Sequence, residues 1–118
     1  MDKSVIIKST LKYILMKTAM LILRILYLIL LFFIIQFTII SVIFSLIGAF
    51  SVFIGASNIG FVLVLLVTNL LFTAGNLTIA VIANPIDKFT FKTHVVFTLI
   101  HAFFVAIMII SIPIVLIF

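Results

Sequence analysis

The sequence predicts an all-α integral membrane protein with three transmembrane helices preceded by a short basic interfacial helix. Its charged residues fall in two small clusters, and residues 25–86 contain no Asp, Glu, Lys or Arg. Residues 101–118 contain none either. The longer run far exceeds the ~20 apolar residues that cross a hydrocarbon core of roughly 30 Å. The chain is therefore expected to reside in a membrane.

Composition supports this class and excludes others. Hydrophobic residues make up 68% and charged residues 8% of the chain, against about 45–50% and about 25% in soluble domains. The chain has no Cys, so it forms neither a disulfide nor a thiolate metal site. Its basic residues flank the apolar runs, as the positive-inside rule requires, and this argues against a nucleic-acid partner.

Two spans follow directly from the sequence and a third needs argument. One span is predicted at 60–83, before Asn84-Pro85, because proline ends a helix; another is predicted at 94–118. The stretch before them supports one span at 20–47, followed by a connection rich in Gly, Ser and Asn, which are turn-forming residues. A four-span alternative needs a turn at residues 36–38, which include neither Gly nor Pro.

Charge distinguishes the two topologies. With three spans, the basic N-terminal cluster and the basic loop after residue 83 lie on the same side, whereas four spans separate them. The positive-inside rule therefore favours three spans, a multi-pass membrane location and a cytoplasmic N-terminus.

The basic residues define the expected contacts with lipid. Residues 1–19 are predicted to form a basic interfacial segment that continues into the first span, and residues 20–118 the transmembrane helical domain. Anionic lipids are the expected partner of these side chains. The predicted headgroup or interface residues are Lys8, Lys12, Lys17, Arg24, Lys88 and Lys92.

Two stripes of polar or small residues predict helix packing. On the middle span, Asn69, Thr73 and Asn76 share one side of the helix, and amides in lipid need hydrogen-bond partners. On the first helix a second stripe permits close helix approach. The predicted packing residues of that stripe are Ser41, Ser45, Gly48 and Gly55. The alternative for the amide stripe is the lining of a polar pathway.

His94 and His101 are seven residues apart on the last span, and both are candidates for polar contacts. This spacing separates them by about 10.5 Å along the helix axis, too far to bind one metal ion together. The chain contains no third His, no Cys and no Glu. We therefore expect neither a metal site nor a cofactor.

The sequence leaves three functional classes open. No nucleophile and base pair or phosphate-binding loop is present, so catalysis is not expected. The favoured class is a small non-catalytic accessory subunit of a membrane complex, with other membrane chains as partners. A self-assembling homo-oligomeric protein, either a pore former or a conjugation-type pilin, is the first alternative. Residues 60–118 resemble such pilins in having two apolar helices joined by a short basic loop. A small channel or carrier is the second.

The three-span topology can be tested by cysteine labelling, because the chain contains no native cysteine. Single cysteines at Lys3 and Lys88 should react with an impermeant maleimide from the cytoplasmic side, and one at Asn58 from the opposite side. Labelling of positions 3 and 88 from opposite sides would contradict three spans.

Overall fold

The protein consists of three α-helices. The computed structural model describes residues 2–56 and 58–117, and no strand occurs within those ranges. Helix α1 spans Lys3–Phe53, α2 spans Ile59–Ala83 and α3 spans Lys88–Ile117. All three are long and apolar enough to cross a membrane. The all-helical, three-helix prediction is confirmed at this level.

Helix α1 continues through the point at which the four-span alternative requires a turn. Gln36, Phe37 and Thr38 are all helical, and no Gly or Pro precedes Gly48 in α1 to break it. The N-terminal basic residues lie in the first part of α1, which is continuous with the first predicted span. Helix α1 has 51 residues, far more than the ~20 that cross a hydrocarbon core.

The chain divides by its internal contacts into two units. The first unit is Met1–Gln36, and the second is Phe37–Phe118. The described part of the first unit is a helical segment whose side chains are almost all exposed: only Tyr27, Leu31 and Ile34 are not. The second unit contains the remainder of α1 together with α2 and α3, and it holds the polar residues discussed below.

Local hydrogen bonds set the ends of the helices. Asp2 begins α1 by accepting the Ser4 hydroxyl at 2.8 Å and the Ser4 N–H at 3.2 Å, and the Ser4 hydroxyl lowers the pKa of the Asp2 carboxyl. Gly55 ends α1 with φ +73°, and the Ala56 N–H then donates to the Ser51 carbonyl at 2.9 Å. This is the left-handed C-terminal motif that favours glycine.

Helix α3 begins earlier than the predicted start of its span at residue 94. The Asp87 carboxylate accepts the Phe89 N–H at 3.1 Å and the Thr90 hydroxyl at 2.8 Å, so Asp87 caps a helix that starts at Lys88. As a consequence His94 lies inside α3 and is fully buried. At the start of α2, Asn58 is the cap and accepts the Gly60 N–H at 2.7 Å.

The second unit combines a small apolar core with many buried polar residues. Val52, Val62, Leu65 and Met108 form the apolar cluster. The buried polar residues of this unit are at least as numerous as its buried apolar ones, and they come from all three helices. They are Thr38, Ser41, Ser45, Asn69, Asn76, Thr90, His94, His101 and Ser111.

Gly48 allows α1 to approach α2 closely. A Cβ atom at Gly48 would overlap Leu65 Cδ1 and would lie 3.3 Å from Phe61 Cε1. We expect Gly48→Ala to lower the free energy of unfolding by about 1–3 kcal/mol, because a packed contact must open to admit the methyl group. Equilibrium unfolding of the purified protein in mixed micelles measures this effect.

Gly75→Ala is the matched control, since Gly75 is also helical and a Cβ there meets nothing within 4 Å. This substitution should leave stability unchanged or raise it by up to ~1 kcal/mol. An equal loss from the two substitutions would show that helix approach at Gly48 is unimportant.

Candidate functional site: a buried asparagine–histidine network

Asn69 lies at the centre of the polar interior and connects all three helices. Its Nδ2 donates to the Leu65 carbonyl at 2.8 Å and to Ser45 Oγ at 3.0 Å. Its Oδ1 accepts the Ser41 hydroxyl at 3.2 Å and lies 3.0 Å from His101 Nδ1. The Asn69 side chain is completely buried. Both amide hydrogens and both oxygen lone pairs are therefore used.

These bonds also assign the proton of His101. Because the two donor contacts of Asn69 fix the orientation of its amide, Oδ1 must be the acceptor towards His101. Nδ1 of His101 consequently carries the hydrogen. On the other side of the ring, Nε2 lies 3.4 Å from the Thr38 hydroxyl, which donates to it. The Phe72 ring stacks on the imidazole with the ring centroids 4.9 Å apart.

A second pair repeats this arrangement seven residues away. Asn76 Nδ2 donates to the Phe72 carbonyl at 2.9 Å, and its Oδ1 lies 2.8 Å from His94 Nδ1. Asn76 is 4% exposed and His94 is completely buried. Because α2 and α3 run antiparallel, a step of seven residues along each helix carries the first pair onto the second. The Asn69–His101 and Asn76–His94 pairs thus belong to one helix register.

The structure places three of the four residues of the small stripe on the buried face of α1. Ser41, Ser45 and Gly48 are buried, and the two serines bond directly to Asn69. Gly55 lies outside the stripe, because it is exposed beyond the end of α1. Its function is to end the helix.

Thr73 differs from its two asparagine neighbours. Its hydroxyl donates to the Asn69 carbonyl on its own helix at 2.7 Å, and the side chain is half-buried. A threonine in a helix satisfies its hydroxyl in this way whenever no partner helix supplies an acceptor. Within the described part of the chain, Thr73 therefore bonds only to its own helix, whereas Asn69 and Asn76 bond to other helices.

The six predicted interface residues are all exposed. Lys88 Nζ donates to Asn84 Oδ1 at 3.1 Å and lies 5.8 Å from the Phe91 ring centroid. Lys17 Nζ lies 5.7 Å from the Tyr13 ring centroid. Lys8, Lys12 and Arg24 project from the first unit of the chain, and Lys92 is exposed on the first turns of α3.

Thr38 and Phe72 are members of the network that the sequence analysis did not identify. Thr38 extends the stripe of Ser41, Ser45 and Gly48 by one step of three residues, a signal that is visible in the sequence. In the sequence, Thr38 otherwise stands out only as part of the turn that the four-span alternative would require. Phe72 carries no polar signal, so its stacking on His101 becomes visible only in three dimensions.

The buried network can hold helices together, but it is not open to a substrate. A hydroxyl beside an imidazole nitrogen, as in Thr38 and His101, resembles a nucleophile and base pair. Thr38 is 5% exposed and His101 is 0% exposed, so neither atom is accessible. Among residues 2–56 and 58–117, no group of three or more His, Cys, Asp or Glu side chains is arranged to bind a metal ion.

Comparisons with protein-family models, with curated protein sequences and with solved structures find no match for this chain. Its function is therefore argued from its own geometry.

The Asn69–His101 bond is measurable by a double-mutant cycle of Asn69→Leu and His101→Leu. Each single substitution leaves a buried polar partner unpaired, so each should lower the free energy of unfolding by about 1–3 kcal/mol. The double variant should lose less than the sum, with a coupling of about 0.6–2 kcal/mol. Unfolding in mixed micelles provides the measurement.

Thr78→Val is the control for this cycle. The Thr78 hydroxyl is exposed and bonds only to the Ala74 carbonyl of its own helix at 2.8 Å. Its loss should change stability by less than about 0.5 kcal/mol. Additive effects of the two substitutions at Asn69 and His101 would contradict the hydrogen bond.

Proposed function

We propose that this protein is a small non-catalytic accessory subunit of a membrane protein complex, and that the first unit of the chain is its docking element. The observation that carries the proposal is the length of α1 combined with the exposure of its N-terminal part. Lipid and another protein chain are the two environments that can cover such a helix, and its length distinguishes between them.

Helix α1 has 51 residues, more than twice the ~20 that cross a hydrocarbon core of roughly 30 Å. The headgroup region adds only about 5–8 Å on each side. If the apolar span starts at residue 20, as the sequence predicts, residues 3–19 form a helical segment about 25 Å long outside it at 1.5 Å per residue. Lipid headgroups alone do not cover a segment of that length.

The segment 3–19 nevertheless carries large apolar side chains. Val5, Ile7, Leu11 and Leu15 are between 52% and 65% exposed. Apolar surface of this extent in water is unfavourable at about 25 cal/mol per Å². A protein partner that packs on the segment removes this cost, and contiguous exposed apolar surface is typical of interaction sites.

The second unit supports the same proposal in a different way. Its polar residues pair with one another, as Asn69 with His101 and Asn76 with His94. Since these buried groups bond to one another, the network serves the folding of the chain itself. The first unit is then the part of the molecule that is available for assembly.

Removal of residues Asp2–Lys12 tests the docking element. The shortened chain should still insert into the membrane, because its three long apolar segments are intact, but it should no longer co-purify with other membrane chains in mild detergent. Native mass spectrometry of the affinity-tagged protein, extracted from its own membrane, measures the composition of the particle.

A variant in which residues 2–12 are scrambled is the matched control, since it keeps the length and charge of the segment. It should lose co-purification as the deletion does if specific packing is needed, and keep it if charge alone suffices. Co-purification that survives the deletion would disprove docking through this segment. A particle made only of identical copies would favour the self-assembling alternative.

A further inference from the structure

The first unit of the chain carries a heptad pattern along one side of α1. Beginning at Ile7, apolar residues alternate at spacings of four and three, the a/d pattern of helices that pair side by side. We call this side the heptad seam. Its positions are Ile7, Leu11, Ile14, Thr18, Leu21, Ile25, Leu28, Phe32 and Ile35.

The first four positions of the heptad seam lie in segment 3–19, and all four are exposed. Ile7 is 65% exposed, Leu11 54% and Ile14 52%. Eight of its nine positions are apolar, but residues 25–35 are apolar at every position except Tyr27, so the positions before Arg24 carry the pattern. The described residues of the first unit supply no helix that packs on it.

Cations flank the heptad seam in a regular way. Lys3, Lys17 and Arg24 all occupy the g position, and Lys8 occupies an e position, the two sites that form salt bridges between paired helices. Lys12 is the exception and lies at b, away from the seam. A shallow groove along the edge of the seam is lined by Ile14, Lys17, Thr18, Met20, Leu21 and Arg24.

The charge of the segment restricts what can fill this groove. Asp2 is the sole acid in residues 2–36, and its carboxylate already accepts two hydrogen bonds from Ser4. In a parallel pair of two copies, Lys3 at g would face Lys8 at e of the other copy. In an antiparallel pair, g positions would face one another and bring cations together. A second copy is therefore disfavoured on charge alone.

A lipid surface is also a poor match for the segment. An interfacial helix separates a cationic face from an apolar face, whereas here Lys12 and Lys17 lie on different sides of α1 at 100° per residue. The seam and its flanking cations instead match a second helix of opposite charge.

We infer that the heptad seam binds an amphipathic helix of a different protein chain, one whose apolar a/d residues pack on Ile7, Leu11 and Ile14 and whose Asp or Glu residues face Lys17 and Arg24. This inference rests on the proposed function, because it names the chemistry of the partner that docks on the first unit.

Photo-crosslinking in the intact membrane locates the partner. A benzophenone amino acid at Ile14, on the seam, should yield an adduct with another chain, and the same amino acid at Met16, on the opposite side, should not. The two side chains are matched in exposure, at 52% and 58%. Mass spectrometry of the adduct should identify a helical peptide that contains Asp or Glu.

Charge reversal tests whether acidic residues of the partner face Lys17. Lys17→Glu should reduce the Ile14 adduct about fivefold, because it replaces an attractive pair by a repulsive one. Lys12→Glu makes the same charge change away from the seam and should leave the yield unchanged, and Lys17→Arg should retain it.

The outcomes separate this inference from the proposed function. Four outcomes would each overturn the proposal of an acidic helix as the partner. Two are equal adducts from positions 14 and 16 and equal effects of Lys12→Glu and Lys17→Glu. The other two are an adduct with a second copy and an adduct with lipid alone. If one of these outcomes occurs and the chain lacking Asp2–Lys12 no longer co-purifies with other chains, docking through the first unit stands. The partner assigned to the heptad seam is then wrong. If that shortened chain keeps its partners, the proposed function itself fails.

Discussion

The fold of the second unit depends on one side chain, the buried amide of Asn69. Lipid is as apolar as leucine, so the hydrophobic effect does not drive helices together within a membrane, and packing and hydrogen bonds must do so. The Asn69 amide bonds to Ser41 and Ser45 of α1 and to His101 of α3. An amide left without partners in hydrocarbon costs several kcal/mol. The three helices are therefore held at the positions where all four hydrogen-bonding capacities of this amide are satisfied.

The paired asparagines and histidines also fix the register of α2 against α3. A shift of α3 by one residue would rotate both histidines by about 100° and break both bonds at once. The turn at residues 84–87 is short and places the two helices side by side, and Asp87 sets the start of α3. Together these features leave one register in which both pairs form. The close approach at Gly48 complements them, because the serines of α1 reach Asn69 only if the two backbones are near each other.

The sequence predicted the helical class and the polar positions better than it predicted their partners. Charge-free runs and the turn residues near Gly55 and Asn84 are local signals, so three helices followed from them. The buried positions Ser41, Ser45, Asn69 and Asn76 followed from helical spacing. The pairing of Asn69 with His101 did not, since spacing along one helix says nothing about which residue of another helix lies opposite. Gly55 fitted the spacing of the stripe, but the backbone leaves the helix there, and spacing has no meaning beyond that point.

The register of α2 against α3 also bears on how the chain enters a membrane during its synthesis. An apolar segment that contains an unpaired asparagine or histidine leaves the translocation channel less readily than one without it. Asn69, Asn76, His94 and His101 all lie in the hairpin of α2 and α3, and each asparagine finds its histidine inside that hairpin. When the two helices close on each other, the Asn69–His101 and Asn76–His94 bonds form inside the hairpin, and α1 then supplies the serine partners of Asn69. Pairing of α2 with α3 thus lowers the cost of moving these four side chains into the bilayer.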